Sequence, residues 1–168
     1  MNQAETIVYA HIQSPAGTLL LAAGQRGLRY LRFGGDLPQR RQNELWIESP
    51  AKLHPYADEL DAYFRGELRR FTSDLDMRGT DFQKKCWQAL LAIPYGQTCS
   101  YAQLAEQVGS PRGFRAVGQA NHHNPIAIIV PCHRVITSDG TLGGYGGGLA
   151  IKKMLLDLEK CDLPRSKL

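Results

Sequence analysis

The chain has 168 residues, of which 43% are hydrophobic and 21% are charged, a composition typical of one globular domain or two small ones. Its longest apolar run, 125–130, is about six residues against the roughly 18 that a membrane span needs, and Met1–Ile7 lacks the basic residues of a signal or transit peptide. Four cysteines without a CxxC pair argue against a disulfide framework and a zinc ribbon, and they favour a reducing, cytoplasmic location.

The first third of the chain has the pattern of an antiparallel sheet with a helix. Strands are predicted over 6–12, 18–23 and 28–33, with the turn signal Ser14–Gly17 between the first two. Residues 38–50 are polar and predict a loop, whereas apolar residues at helical spacing predict a helix over 52–66. The N-terminal domain is therefore expected to span residues 1–73, with a linker at about 74–79.

Helix signals multiply after residue 80. Thr80–Gln83 and Ser100–Gln103 are capping boxes, so a helix is expected to begin at each. Ser110 before Pro111 predicts the N-cap of a third helix that runs to about Asn121. A short helix, a three-residue turn and a further helix form the helix-turn-helix pattern, which occurs in DNA-binding proteins and in purely structural helix pairs.

The third predicted helix separates its residues by face. Phe114 and Val117 are expected in the core. Two stripes of residues lie at helical spacing. The small stripe consists of the small residues Gly113, Ala116 and Ala120, and the polar stripe consists of Arg112, Arg115 and Gln119. This face is either exposed to solvent beside a close contact between helices, or its small side chains let the helix backbone approach a nucleic-acid duplex closely. The second interpretation favours recognition of duplex shape over readout of base sequence. The charge balance permits the second interpretation without requiring it, since 78–134 holds six Lys/Arg and two Asp/Glu.

An apolar run, 125–130, leads into Pro131-Cys132-His133-Arg134. By itself this pair of cysteine and histidine is compatible with an inert core thiol and a hydrogen-bonded histidine, or with a nucleophile and its base. A tight turn at Ser138–Gly140, a glycine-rich loop over 143–148 and a last helix over 149–160 are predicted to follow.

The segment Pro131–Val135 resembles the active-site signature of the O6-alkylguanine-DNA alkyltransferases, the methylated-DNA–protein-cysteine methyltransferases. The resemblance is strongest over 80–160, and its other matches, in the family's order and spacing, are Arg115–Gly118, Asn124-Pro125, Gly143–Tyr145, Gly147–Leu149 and Glu159. It implies an α+β fold: a small N-terminal antiparallel sheet-and-helix domain, then a mainly α-helical domain over 80–162 with the helix-turn-helix and the Pro-Cys-His-Arg active site.

The resemblance also implies a reaction, the irreversible transfer of an alkyl group from O6-alkylguanine in DNA to the protein's own cysteine, once per molecule and without cofactor or metal. The implied catalytic residues are Cys132 as acceptor, His133 and Glu159 as its activators, Tyr101 as proton donor to the base, and Asn124 as support of the turn. The implied DNA-binding residues are Arg115, which enters the duplex, and Ser110, Arg112, Gly113, Ala116 and Gln119. The implied pocket residues are Val135, Tyr145 and Gly146.

Partners and specificity follow from the same resemblance. Alkylated double-stranded DNA is expected to bind through its minor groove, largely independently of sequence, to a protein that is monomeric when free. The N-terminal zinc site of some relatives is not expected, since no cysteine precedes Cys86. Gly144, Gly146 and Ala127 stand where some relatives carry other residues and suggest a roomier pocket, which would admit bulkier alkyl groups and O4-methylthymine.

Three other classes of protein compete with this interpretation. A lesion sensor on the same scaffold would have another residue in place of Cys132. A helix-turn-helix regulator would bind a preferred operator and leave the Pro-Cys-His-Arg segment without a role. A cysteine hydrolase would turn over a chromogenic ester and be indifferent to DNA.

Overall fold

The structure is a computed structural model that describes residues 4–161, and the chain divides into two units, one ending at Arg78 and one beginning at Gly79. The first unit is a four-stranded sheet, in the order β3-β2-β1-β4, with one helix packed on it. Its elements are β1 (Glu5–Ser14), β2 (Gly17–Gly24), β3 (Gly27–Phe33), β4 (Glu44–Glu48) and α1 (Pro50–Phe64). Residues Ser14 and Gly17 pair across the predicted turn, so the β1–β2 hairpin is confirmed.

The strand β4 corrects the loop that was predicted for 38–50. It pairs in parallel with β1, so the sheet is mixed and not wholly antiparallel. Trp46 faces inward, 8% exposed, and packs with Ile7 and Ala22, whereas its neighbours Leu45 and Ile47 are exposed. A five-residue edge strand with one buried hydrophobic side chain has too little hydrophobic alternation to be recognised in the sequence. The helix α1 begins two residues earlier than predicted because Pro50 occupies its first turn.

The second unit is mainly helical, as the resemblance implied. Its elements are α2 (Asp81–Leu91), β5 (Cys99–Ser100), α3 (Tyr101–Gln107), α4 (Phe114–His122), a 3-10 turn (Cys132–Arg134), β6 (Val135–Ile136) and α5 (Leu149–Leu158). Both predicted capping boxes are present at the starts of α2 and α3. The short strands β5 and β6 pair in parallel and join the start of α3 to the segment that follows Cys132. No helix in the described part of the chain is long and apolar enough to cross a membrane.

The predicted start of the third helix at Ser110 is wrong. The amide of Ser110 donates to Ala105 O at the end of α3, and its side chain makes no capping hydrogen bond to α4. Residues 111–112 form a turn closed by a bond from Gly113 N to Ser110 O, and α4 begins at Phe114 with Gly113 as its N-cap. The connection between α3 and α4 is therefore longer than the three residues predicted.

The segment predicted as a linker is partly built into the first unit. The backbone of Asp74 and Asp76 bonds to Leu28, and the Asp76 carboxylate accepts hydrogen bonds from Arg29 and Arg78. The guanidinium of Arg29, 2% exposed, also reaches Glu5 and Glu44. This ion network ties β1, β3 and β4 to residues 74–78, and the unit depends on it because a buried cation needs its partners.

We expect Arg29→Met to lower the free energy of unfolding by about 3 kcal/mol at neutral pH, because buried carboxylates lose their main cation. Urea denaturation measures the loss, and Arg32→Met, an exposed arginine on the same strand, should change stability by less than about 0.5 kcal/mol.

Hydrogen bonds from Arg78 and Arg29 hold the pKa of Glu5 below its ordinary value. The contribution of Glu5 to the free energy of unfolding is therefore complete at pH values above its ordinary pKa, and it is lost as the pH falls through the folded-state pKa. An equal loss in the Arg29→Met variant at neutral and strongly acidic pH would contradict this account.

Candidate active site

Cys132 lies at the first position of a 3-10 turn, directly after Pro131. Its amide donates to Val130 O at 2.8 Å, and Arg134 N donates to Pro131 O at 3.0 Å, so the backbone on both sides of the sulfur is held. Cys132 and Cys161 are partly exposed, whereas Cys86 and Cys99 are buried. The turn thus holds the thiol of Cys132 at a fixed position in the second unit.

The side chain of Asn124 braces the segment that leads to Cys132. Its Nδ2 donates to Val130 O at 2.8 Å and to Cys132 Sγ at 3.1 Å, while its Oδ1 accepts from Ile126 N at 3.0 Å. Between these anchors, the buried Ile128 adopts a φ of +68°, a conformation that β-branched residues rarely take. Backbone strain of this kind persists where the surroundings over-determine it, and here Asn124 bonds to the segment on both sides.

The two residues after Cys132 are anchored by one buried carboxylate. Glu159, the C-cap of α5, accepts from His133 Nε2 at 2.8 Å. It also accepts from Arg134 Nε at 2.8 Å and Nη2 at 3.0 Å, and Arg134 Nη1 donates to Ile93 O at 2.6 Å. His133 Nδ1 has no hydrogen-bond partner within residues 4–161. The carboxylate therefore leaves the imidazole with its proton on Nε2 and a lone pair on Nδ1.

The charges of this group follow from burial and from these bonds. Burial alone would raise the pKa of Glu159, but hydrogen bonds from His133 and Arg134 outweigh it and hold that pKa far below its ordinary value. Burial lowers the pKa of His133 despite the bond to Glu159, so the imidazole is neutral at pH 7. Burial raises the pKa of the Cys132 thiol, and both the Asn124 hydrogen bond and the positive charge of Lys152 oppose that rise.

A cavity of about 470 Å³ opens over the thiol, a volume within the range of small-molecule sites. It is lined by Tyr101, Gly118, Gln119, Asn121, His122, Cys132, Gly144, Tyr145 and Gly146. Burial raises the pKa of both tyrosines, and nearby negative charge, foremost at Cys132, raises it further, so their hydroxyl groups stay protonated. Val135, predicted as a pocket residue, does not line this cavity: its side chain is buried in β6.

The predicted DNA-binding residues occupy α4 and the turn before it, but not all in the predicted way. Arg115, Ala116 and Gln119 are exposed on α4, and Ser110, Arg112 and Gly113 precede the helix. The small stripe does not form one exposed face, because Ala120 is buried and its carbonyl accepts a hydrogen bond from Trp87 Nε1. Phe114, predicted in the core, is 51% exposed at the first position of α4, whereas Val117 is buried as predicted.

Two buried cations at this site were not singled out in the sequence. Arg134 belongs to the Pro-Cys-His-Arg signature, and only its bonds to Glu159 reveal what it does. Lys152 is completely buried and donates to backbone carbonyls of the glycine-rich loop. The available signal was its spacing, since Lys152 shares the buried side of α5 with Leu155 and Leu156. No cluster of three or more potential metal ligands occurs among residues 4–161.

Comparison with known proteins identifies the family of the chain. The family model for the DNA-binding domain of 6-O-methylguanine DNA methyltransferase matches residues 81–161, and that for its ribonuclease-like domain matches 7–77. Methylated-DNA–protein-cysteine methyltransferases from Mycobacterium tuberculosis and Methanosarcina barkeri are 51% and 49% identical over 94% and 92% of this chain, and over 95% and 98% of theirs. A crystal structure of the Mycobacterium tuberculosis OGT in complex with DNA has a TM-score of 0.84 at 51% identity, and covers 91% of this chain and 93% of that one.

The chain belongs to the methylated-DNA–protein-cysteine methyltransferase family. Its α+β fold, with a sheet unit followed by a helical unit, is the fold of those crystal structures. In this chain the thiol lines the cavity, and the adjacent imidazole is bonded to the buried carboxylate.

We expect Glu159→Gln to destabilise the protein by about 3 kcal/mol, because it leaves the buried Arg134 guanidinium without a counter-charge. Thermal or urea denaturation measures this loss. Asp157→Asn is the matched control on the same helix: its partner Lys153 is exposed, so it should cost less than about 0.5 kcal/mol. Equal stability of the Glu159→Gln variant and the wild type would show that the carboxylate does not carry this anchoring role.

Proposed function

We propose that this protein repairs DNA by direct reversal, and that the alkyl group of O6-alkylguanine moves irreversibly to the sulfur of Cys132. The observation that carries the proposal is the position of this sulfur, at the wall of a cavity of about 470 Å³ and directly before the His133–Glu159 pair. Membership of the methyltransferase family supports it, as does the DNA-bound relative. The reaction needs no cofactor, because donor and acceptor are the damaged base and the protein itself.

The step is an in-line displacement at saturated carbon. The sulfur–carbon bond forms while the bond from carbon to the guanine oxygen breaks, and the guanine leaves as an anion that takes up a proton. We assign Tyr101 as the donor of this proton, since it lines the cavity and its hydroxyl group is protonated. The thiol proton goes to Nδ1 of His133, and a proton passed on from His133 then reprotonates Tyr101.

Ionisation of the thiol supplies a limited part of the rate. An unperturbed thiol with a pKa near 8.5 is only a few per cent thiolate at pH 7, so complete ionisation gains at most about thirtyfold, or roughly 2 kcal/mol. Burial raises the pKa of Cys132, which makes the neighbouring histidine more necessary as a base. We therefore assign the larger share of the acceleration to alignment of the reacting atoms by the braced turn and to protonation of the leaving base.

The target base must leave the duplex to reach this sulfur. Extrusion of a base costs a few kcal/mol, less when the lesion pairs poorly. Arg115 and Gln119 lie one turn apart on α4, and Gln119 also lines the cavity, so Arg115 projects from the helix that borders the pocket. We assign Arg115 to the gap left in the base stack and α4 to the minor groove, with the other exposed residues near its start contacting phosphates. The proposal places the protein in the cytoplasm, where it acts on DNA as a monomer.

Incubation with a duplex that contains O6-methylguanine should add the mass of one methyl group to the intact protein, located on Cys132 by peptide mapping. The Cys132→Ser variant should gain no mass and should leave the lesion in place. Repair of the oligonucleotide while Cys132 stays unmodified would refute the proposal. Equal binding to undamaged duplexes of random sequence, with no preferred operator, distinguishes the repair protein from a transcription regulator.

Arg115→Ala should slow alkyl transfer about tenfold or more even at saturating protein concentration, because extrusion of the base loses the residue that fills its place. Arg112→Ala removes the same charge from the neighbouring turn and should weaken DNA binding without slowing the saturated reaction. Single-turnover kinetics over a range of protein concentrations measure both effects. Loss of binding alone in both variants would reduce Arg115 to a phosphate contact.

A further inference from the structure

The proposed reaction leaves one buried charge without a role. Lys152 on α5 is 0% exposed, and its Nζ donates to Val135 O at 2.6 Å, to Leu142 O, and to Gly144 O at 3.3 Å. These bonds use the three donors of an ammonium group. Within residues 4–161, no carboxylate lies within ion-pair distance of it. Burial of a charged lysine costs free energy, and the three hydrogen bonds to backbone carbonyls offset part of that cost.

The three carbonyls belong to two segments that border the thiol. Val135 opens β6, directly after the turn that carries Cys132 and His133. Leu142 and Gly144 lie in the following loop, which supplies part of the cavity wall. One ammonium group therefore connects the backbone of the cysteine segment to the backbone of the loop that faces it.

The loop meets Tyr101 at the residue between its two bonded carbonyls. Gly143 has a φ of +70°, and a Cβ atom at this position would lie 3.2 Å from Tyr101 Cε2 and 3.3 Å from its hydroxyl oxygen. A methyl group there would crowd the ring, so the glycine permits a close approach of backbone to tyrosine. The Nζ of Lys152 itself lies 6.0 Å from the centre of the same ring. The position of the loop and the position of Tyr101 are thus coupled.

We propose that Lys152 is a positioning residue for alkyl transfer: its ammonium group clamps the loop 142–146 against the Cys132 segment, and so sets both the placement of Tyr101 and the width of the pocket. This inference rests on the proposed function, since it assigns Tyr101 as the proton donor. It identifies the alkyl group on the base as the part of the substrate that the clamp selects, with small groups favoured while the loop is held.

The charge state of the clamp is consistent with this role. Burial lowers the pKa of Lys152 to about 8, and negative charge on Cys132 opposes that change. The amine is therefore mostly protonated at pH 7, with all three donors available. The same ammonium group favours the thiolate of Cys132, so the clamp and the activation of the nucleophile act in the same direction.

The test replaces Lys152 by Met, which keeps the length of the side chain and removes its donors. Hydrogen exchange should become about tenfold or more faster in peptides that cover 141–148, and remain unchanged in α2 and α4. In single-turnover reactions at saturating duplex, the rate on O6-methylguanine should fall about tenfold, while the rate on O6-benzylguanine falls less, so that their ratio shifts toward the bulky group. Lys153→Met, an exposed neighbour on the same helix, should match the wild type in every measurement.

Lys152→Gln provides the second variant, since its amide keeps two donors without a charge and is expected to give intermediate exchange and an intermediate ratio. If Lys152→Met does not fold, this variant carries the test alone. Unchanged exchange in 141–148, or an equal fall in both rates, would overturn the proposed clamp. Failure of the proposed function is distinguishable, because the wild type itself would then acquire no alkyl group, whereas the exchange of the loop could still be measured.

Discussion

The active site depends on one carboxylate. Glu159 ends α5, and its two oxygens receive hydrogen bonds from consecutive residues of the cysteine turn, His133 and Arg134. Arg134 continues to the carbonyl of Ile93 beyond α2, so this carboxylate connects three parts of the second unit that are distant in sequence. A buried ion group of this kind adds little net stability, because each charge loses its hydration. What it provides is a defined orientation for the imidazole beside the thiol.

Burial shifts the pKa values of Cys132 and His133 in opposite directions. Burial raises the pKa of the thiol and lowers that of its histidine, and both changes disfavour a preformed ion pair of thiolate and imidazolium. The site therefore favours a neutral pair in which the proton moves as the alkylated base arrives. Because the folded-state pKa of His133 is depressed, the protein is most stable above the ordinary histidine range, and it loses stability as the pH falls from that range toward the folded-state pKa, where the unfolded chain binds the proton more readily. A protein that reacts once gains from such a pair, since a permanent thiolate would also react with other electrophiles.

The sequence predicted local features well and long-range contacts only where a family pattern supplied them. Capping boxes at Thr80 and Ser100 act over four residues and are present as predicted. The helix expected from Ser110 starts later because residues 110–113 form a separate turn, which the sequence does not distinguish from the first turn of a helix. Strand β4 was not predicted, because its pairing with β1 depends on residues that are distant in the sequence. The family pattern predicted that His133 and Glu159, 26 residues apart, act together on Cys132, and the structure adds the hydrogen bond that joins them.

The buried carboxylate of Glu159 fixes His133 as a neutral base whose lone pair lies on Nδ1. Nitrogen-15 NMR of the histidine rings, with His133 assigned by comparison with a His133→Gln variant, reports both the charge of this ring and the position of its proton. We expect a ring that is neutral at pH 7, protonated on Nε2, and that resists protonation as the pH falls through the ordinary histidine range. An imidazolium at pH 7, or a neutral ring with its proton on Nδ1, would show that the carboxylate does not fix the histidine in this way.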